Sequence, residues 1–89
     1  MLEEIIKDLI KNVTETVEGY PIKGLRWKPI DNVIVGLVRD PILSNPNINN
    51  GYRSCTWYKT GKVTTKYGGK GREDLNLKMN YEDKKSISL

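Results

Sequence analysis

The sequence has no histidine, no phenylalanine and a single cysteine, Cys55. Each shortage excludes something. Without histidine there is no Ser-His or Cys-His nucleophile pair, and both the commonest general acid–base group and the commonest transition-metal ligand are missing. One cysteine allows neither an intramolecular disulfide nor a cysteine zinc cluster. No apolar run approaches the ~20 residues that a membrane-spanning helix needs. Glu3, Glu4 and Asp8 stand where a secretory leader would carry its basic and apolar regions, so no leader is read here. The expectation is a soluble, cytoplasmic protein that is not an enzyme, with no catalytic residues, no metal or other cofactor and no membrane partner.

Eighty-nine residues make one domain. A chain of this length buries only about 60–65% of the surface its unfolded form exposes, so its core is thin and leaves little framework for a deep pocket. Self-association is one way to supply the missing walls, and a homo-oligomer is the expected assembly.

The net charge of +4 is unevenly spread. Residues 1–18 carry five acidic and two basic side chains; residues 19–70 carry nine basic and two acidic ones; residues 71–89 carry four of each. An anionic partner therefore belongs to the middle of the chain.

Hydrophobic periodicity gives a coarse map. Leu2, Ile5, Ile6, Leu9, Ile10, Val13 and Val17 recur at helical spacing, which predicts an amphipathic helix over 2–17, stopped by Gly19 and Pro21. Strands are expected at 22–28, with Leu25 and Trp27 on one side and Arg26 and Lys28 on the other, and at 33–39, a nearly continuous apolar run. Residues 40–51 form a long loop rich in Asn and Pro. In 52–59, Tyr52, Ser54, Thr56 and Tyr58 alternate with Arg53, Cys55, Trp57 and Lys59, and Thr60-Gly61 turns the chain into a strand over 62–67. Leu75, Leu77 and Met79 alternate along a last strand. Residues 1–79 thus read as one α+β domain, one N-terminal helix packed on a four- to five-stranded antiparallel sheet or small open barrel, and 80–89 as a polar tail. A lone helix covers one sheet face; the other must be polar or meet a partner.

Two constellations suit anion binding. Residues 68–72 (Gly-Gly-Lys-Gly-Arg) allow a backbone nest for phosphate, with Lys70 and Arg72 adding charge. No Gly-Lys-Ser/Thr leads into a helix, so this is not a Walker loop, and a plain flexible loop is the commoner fate of a lone glycine motif. The second is the hairpin, where Arg53, Trp57, Tyr58, Lys59, Lys62, Lys66 and Tyr67 mix rings that can stack on bases with cations that can hold phosphates, beside Arg26, Trp27 and Lys28. The plainer reading makes Trp27 and Trp57 core, because a chain without phenylalanine must fill its interior with something, and makes the lysines a solvated face. Glu73-Asp74 reads as a charged strand start rather than a magnesium site, and Cys55 as a structural thiol.

The succession Val33-Ile34-Val35-Gly36-Leu37-Val38, then Trp57 with Gly61-Lys62, then Asp74-Leu75-Asn76-Leu77, resembles a loose group of small phage and prophage proteins over about half the chain. The first strand departs from that group: Gly24-Leu25-Arg26-Trp27-Lys28-Pro29 stands where an Asp-Gly turn flanked by arginines is usual. The resemblance implies a compact, non-catalytic accessory protein that blunts defences in a host cell. Together these readings predict an anionic, nucleotide-like ligand held by Arg53, Trp57, Tyr58, Lys62, Lys70 and Arg72 between subunits. The alternatives are an inhibitor or adaptor that meets a host protein through the exposed sheet face or the 40–51 loop, and a small nucleic-acid-binding domain.

Overall fold

The structure is a computed structural model, and it describes residues 2–41, 45–65 and 73–88. Helix α1, Leu2–Ile10, buries Ile6 and Ile10 one turn apart and turns Glu4, Lys7 and Asp8 to solvent. It ends sooner than the periodicity predicts. Residues 13–17 (Val-Thr-Glu-Thr-Val) contain four β-branched side chains, which lose rotamer freedom in a helix and suit extended backbone. That segment is extended and is paired on two sides. Ile22 N donates to Thr14 O and Thr16 N to Tyr20 O, while Val17 N donates to Asn76 O and Lys78 N to Glu15 O. Thr16 is fully buried, and its Oγ1 accepts from Tyr20 N at 3.1 Å.

Four strands follow: β1 (Ile22–Lys28), β2 (Val33–Val38), β3 (Arg53–Tyr58) and β4 (Val63–Thr65), in the antiparallel order β1-β2-β3-β4. β1 and β4 are the two edges, so the sheet is open. The protein is α+β, an N-terminal helix against a four-stranded antiparallel sheet. Gly61 (φ +93°) makes the β3–β4 turn that Thr60-Gly61 predicts.

A bulge decides which side chains of β1 share a face. Lys23 pairs with Leu37 and Arg26 with Val35, so Gly24 and Leu25 together oppose Gly36. Gly24 sits in the left-handed region (φ +67°), which glycine adopts without steric cost. The extra residue shifts the alternation by one. Ile22, Leu25 and Trp27 face inward, whereas Lys23, Arg26 and Lys28 face outward. Leu25 fills the space over Gly36, where an added Cβ would lie 2.8 Å from Leu25 Cδ2.

The inner face carries Ile22, Trp27, Ile34, Val38, Cys55, Trp57 and Val63, and packs against Ile6, Ile10, Leu75 and Leu77. Trp57 Nε1 donates to Leu75 O at 2.9 Å, which fixes the segment after the sheet onto the core. Leu75 and Leu77 are buried as their alternation predicts, yet they add no fifth strand: Glu73–Leu75 is a 3-10 turn, and Leu77 pairs only with Thr16. Nor are 80–89 a plain polar tail. Helix α2, Tyr81–Ser88, starts where Asn80 Oδ1 accepts from Asp83 N at 2.8 Å, and Ile87 packs against the core. Acidic Glu82 and Asp83 in the first turn and Lys85 in the last complement the helix dipole. An exposed bond from Lys78 Nζ to Glu15 Oε1 (2.8 Å) ties residue 78 to the extended segment and raises the Lys78 ammonium above its ordinary value. Among the described residues, no helix is long and apolar enough to cross a membrane.

Candidate functional site

The outer face of the sheet is built in rows by the strand register. One row runs Lys28, Val33, Tyr58; the next Arg26, Val35, Thr56, Thr64; the third Lys23, Leu37, Ser54. Down the sheet these rows become files. β1 gives three exposed cations, β2 an apolar strip of Val33, Val35 and Leu37, and β3 a line of hydroxyls between two rings, Tyr52 and Tyr58. Neither α1 nor α2 covers this face, because both pack with the inner core through Ile6, Ile10 and Ile87.

Charge on the face is almost all positive. Lys23 Nζ lies 4.1 Å from the centroid of the Tyr52 ring, and Lys62 Nζ lies 5.6 Å from that of Tyr58. These cation–π contacts hold the lysine heads over the rings. Lys28 pairs with Asp31 at 3.0 Å, in the β1–β2 turn. Arg26 has no ion-pair partner among the described residues. Chemically the face offers exposed hydrogen-bonding cations, one exposed ring at Tyr58 and one half-buried ring at Tyr52, and an apolar strip in which Val35 and Leu37 are half-buried and Val33 is buried.

Four of the six residues read from the sequence can be placed, and they fall on opposite sides. Trp57 is 4% exposed and belongs to the core. Arg53 is also on the inner face: its Nη1 donates to Ile48 O (3.1 Å) and Tyr52 O (2.8 Å), holding the start of β3 to the preceding loop. That loop carries three successive positive-φ residues, Asn49, Asn50 and Gly51, types that tolerate the left-handed region. Tyr58 and Lys62 are exposed and adjacent. Lys70 and Arg72, with the whole of 68–72, lie outside the described residues. The six therefore do not form one cluster: Tyr58 and Lys62 meet, while Arg53 and Trp57 serve the interior beneath them. The residues missed are Lys23 and Tyr52, which join Arg26 and Lys28 on the outer face; seeing Lys23 there requires the bulge.

Among the described residues, a cleft of about 100 Å³ on the inner side is lined by Trp27, Trp57, Leu77, Met79 and Ile87, with Tyr58, Lys59 and Lys84 also at it. It is mainly apolar and well below the roughly 300 Å³ at which ligand pockets begin. Among the described residues, the buried indole N–H of Trp27 has no acceptor. Among the described residues, no three Cys, Asp or Glu side chains converge as a metal site would require. Cys55 is buried, with Sγ directed to Arg53 O at 3.8 Å.

No protein-family model, curated protein or solved structure matches the chain.

Proposed function

We propose that the chain is a non-enzymatic binding protein of the phage accessory kind, one that blunts a host defence by holding an anionic, nucleotide-like ligand. The ligand lies on the open sheet face. The observation that carries this reading is the file of Lys23, Arg26 and Lys28 on one face with the exposed ring of Tyr58. Cations supply the phosphate contacts and the ring supplies a platform for a base. A homo-oligomer, proposed with it, would set several such faces against one ligand, which raises avidity without any new contact.

The test is native mass spectrometry on protein purified gently from cells, beside the triple variant Lys23→Glu, Arg26→Glu, Lys28→Glu. The expected result is an oligomer carrying nucleotide-sized extra mass that is lost on denaturation and never acquired by the variant. A bare monomer, or a variant that keeps the mass, overturns the assignment to this face.

An inhibitor or adaptor for a host protein is the second reading. It is favoured by Ile30 and Ile48, apolar side chains 99% and 47% exposed in the loops before β2 and β3.

A further inference from the structure

We infer that the ligand of the outer face is a single-stranded nucleic acid running along β3, with its bases over β2 and β3 and its phosphates toward β1. This rests on the reading above and names the ligand class. It comes from how the groups are spaced. Tyr52 and Tyr58 stand at the two ends of β3, six residues and so roughly 20 Å apart. A mononucleotide reaches one ring; only a chain of nucleotides reaches both. The cations are also spread rather than gathered. Lys23, Arg26 and Lys28 follow β1 over roughly 13 Å, on a strand whose backbone runs roughly 10 Å from that of β3, and the Lys23 head reaches across to the Tyr52 ring. A site for a single phosphate group converges its cations on one point, whereas a rail of cations suits a phosphate backbone.

The strip between the two files fits the same ligand. Half-buried Val35 and Leu37 offer an apolar floor, and Ser54, Thr56 and Thr64 offer neutral hydroxyls to base edges. A duplex hides its base faces in the stack and is read by elements inserted into a groove; this flat face presents rings, which only unstacked bases can use. Lys23 and Lys62 hold the ring faces in the ligand-free protein. When a base stacks on Tyr52, Lys23 swings from the ring to a phosphate on the β1 side; on Tyr58 the base displaces Lys62 toward β4. Base-on-ring stacking is sequence-tolerant, since every base has a π-face, so discrimination among bases is weak.

The experiment is fluorescence anisotropy of the full chain with labelled oligo(dT) and oligo(U) of about two, four, eight and sixteen nucleotides, spanning the usual site sizes. Free mononucleotide and poly-glutamate serve as competitors. Affinity should climb with length until both tyrosines are spanned, then level off; the DNA and RNA arms show which sugar is preferred. Tyr58→Ala should weaken binding of the longer oligomers by about tenfold, the scale of one lost stacking contact. Arg26→Gln should lower the slope of log affinity against log salt by about 0.7, the value for one phosphate contact on a single strand. Tyr58 and Arg26 are exposed, and unchanged melting curves will show that both variants fold. Mononucleotide binding as tightly as the oligomers, with Arg26→Gln weakening both, overturns the strand and leaves the anion-binding face standing. Poly-glutamate competing on equal terms overturns it in favour of an acidic protein partner. If no anionic ligand binds, the proposed function falls with it.

Discussion

Trp57 and Tyr58 are consecutive in β3, yet one is 4% exposed and the other 39%. The first donates from its indole to Leu75 O and holds the C-terminal segment on the core; the second stands among cations on the far side of the sheet. In a chain with no phenylalanine, two tryptophans fill the inner face and tyrosine is the ring left for the outer one. One strand thus turns its odd positions into the core and its even positions to the outer face. Aromatic and basic composition alone cannot separate the two uses; pleat parity can.

The comparison is easiest to break at Trp57. Trp57→Ala should cost about 3–5 kcal/mol, close to the ~5 kcal/mol that a domain of this size holds in total. Urea denaturation followed by circular dichroism should find the variant largely unfolded in buffer. A variant as stable as the parent would mean that the inner face is not the core. Gly36→Ala comes next, at about 1–3 kcal/mol for overpacking, because its Cβ meets Leu25 Cδ2. Adding Leu25→Ala should relieve part of that loss, and strict additivity of the two would separate them. On the outer face, Tyr58→Ala and Arg26→Gln should each move stability by no more than about 0.5 kcal/mol. A large loss at either would erase the division between the faces.

The smallest effect expected is a pH dependence at Lys78. The Glu15 carboxylate raises its ammonium above the ordinary value of 10.5, through a hydrogen bond first and charge second. A raised folded-state value gives stability that is fully present below the unfolded value and is lost as pH rises through the raised one. Melting temperatures of the native chain and Lys78→Met should therefore converge as pH is taken above 10.5. A gap that stays constant would mean that something other than this bond separates them.

Much of this architecture could be read from the residues. β1 spans 22–28 as alternation and the flanking turns require, and the inward and outward sets of β3 fall as its alternation predicts. The helix boundary was not legible because Val13 and Val17 fit a period of 3.6 and a period of 2 alike; the bridges Glu15–Pro21 and Thr16–Leu77 decide between them, and the second is non-local. Helix α2 has a local signal, Asn80 followed by Glu82 and Asp83, outweighed by the polarity of the segment. For the candidate site, the alternation of β3 already set Arg53 and Trp57 against Tyr58, so these three could not have shared a ligand. The place of Lys23 beside Arg26 was hidden, since it depends on one positive φ at Gly24.

The double pairing of residues 14–17 bears on how the molecule assembles. Those residues hydrogen-bond both to the strand that follows them and to residues 76–78, and the Lys78–Glu15 bond closes a separation of 63 residues. The hairpins of the sheet can form as soon as they are made. Helix α1 covers part of their inner face through Ile6 and Ile10, and the rest is left for Leu75 and Leu77. Loop closure of that span is costly and slow compared with hairpin formation. The rate-limiting event in folding should therefore be the docking of residues 75–78 onto residues 14–17 and the core, and a nascent chain should leave Trp57 partly open to water, and to chaperones, until residues 75–78 have been synthesised.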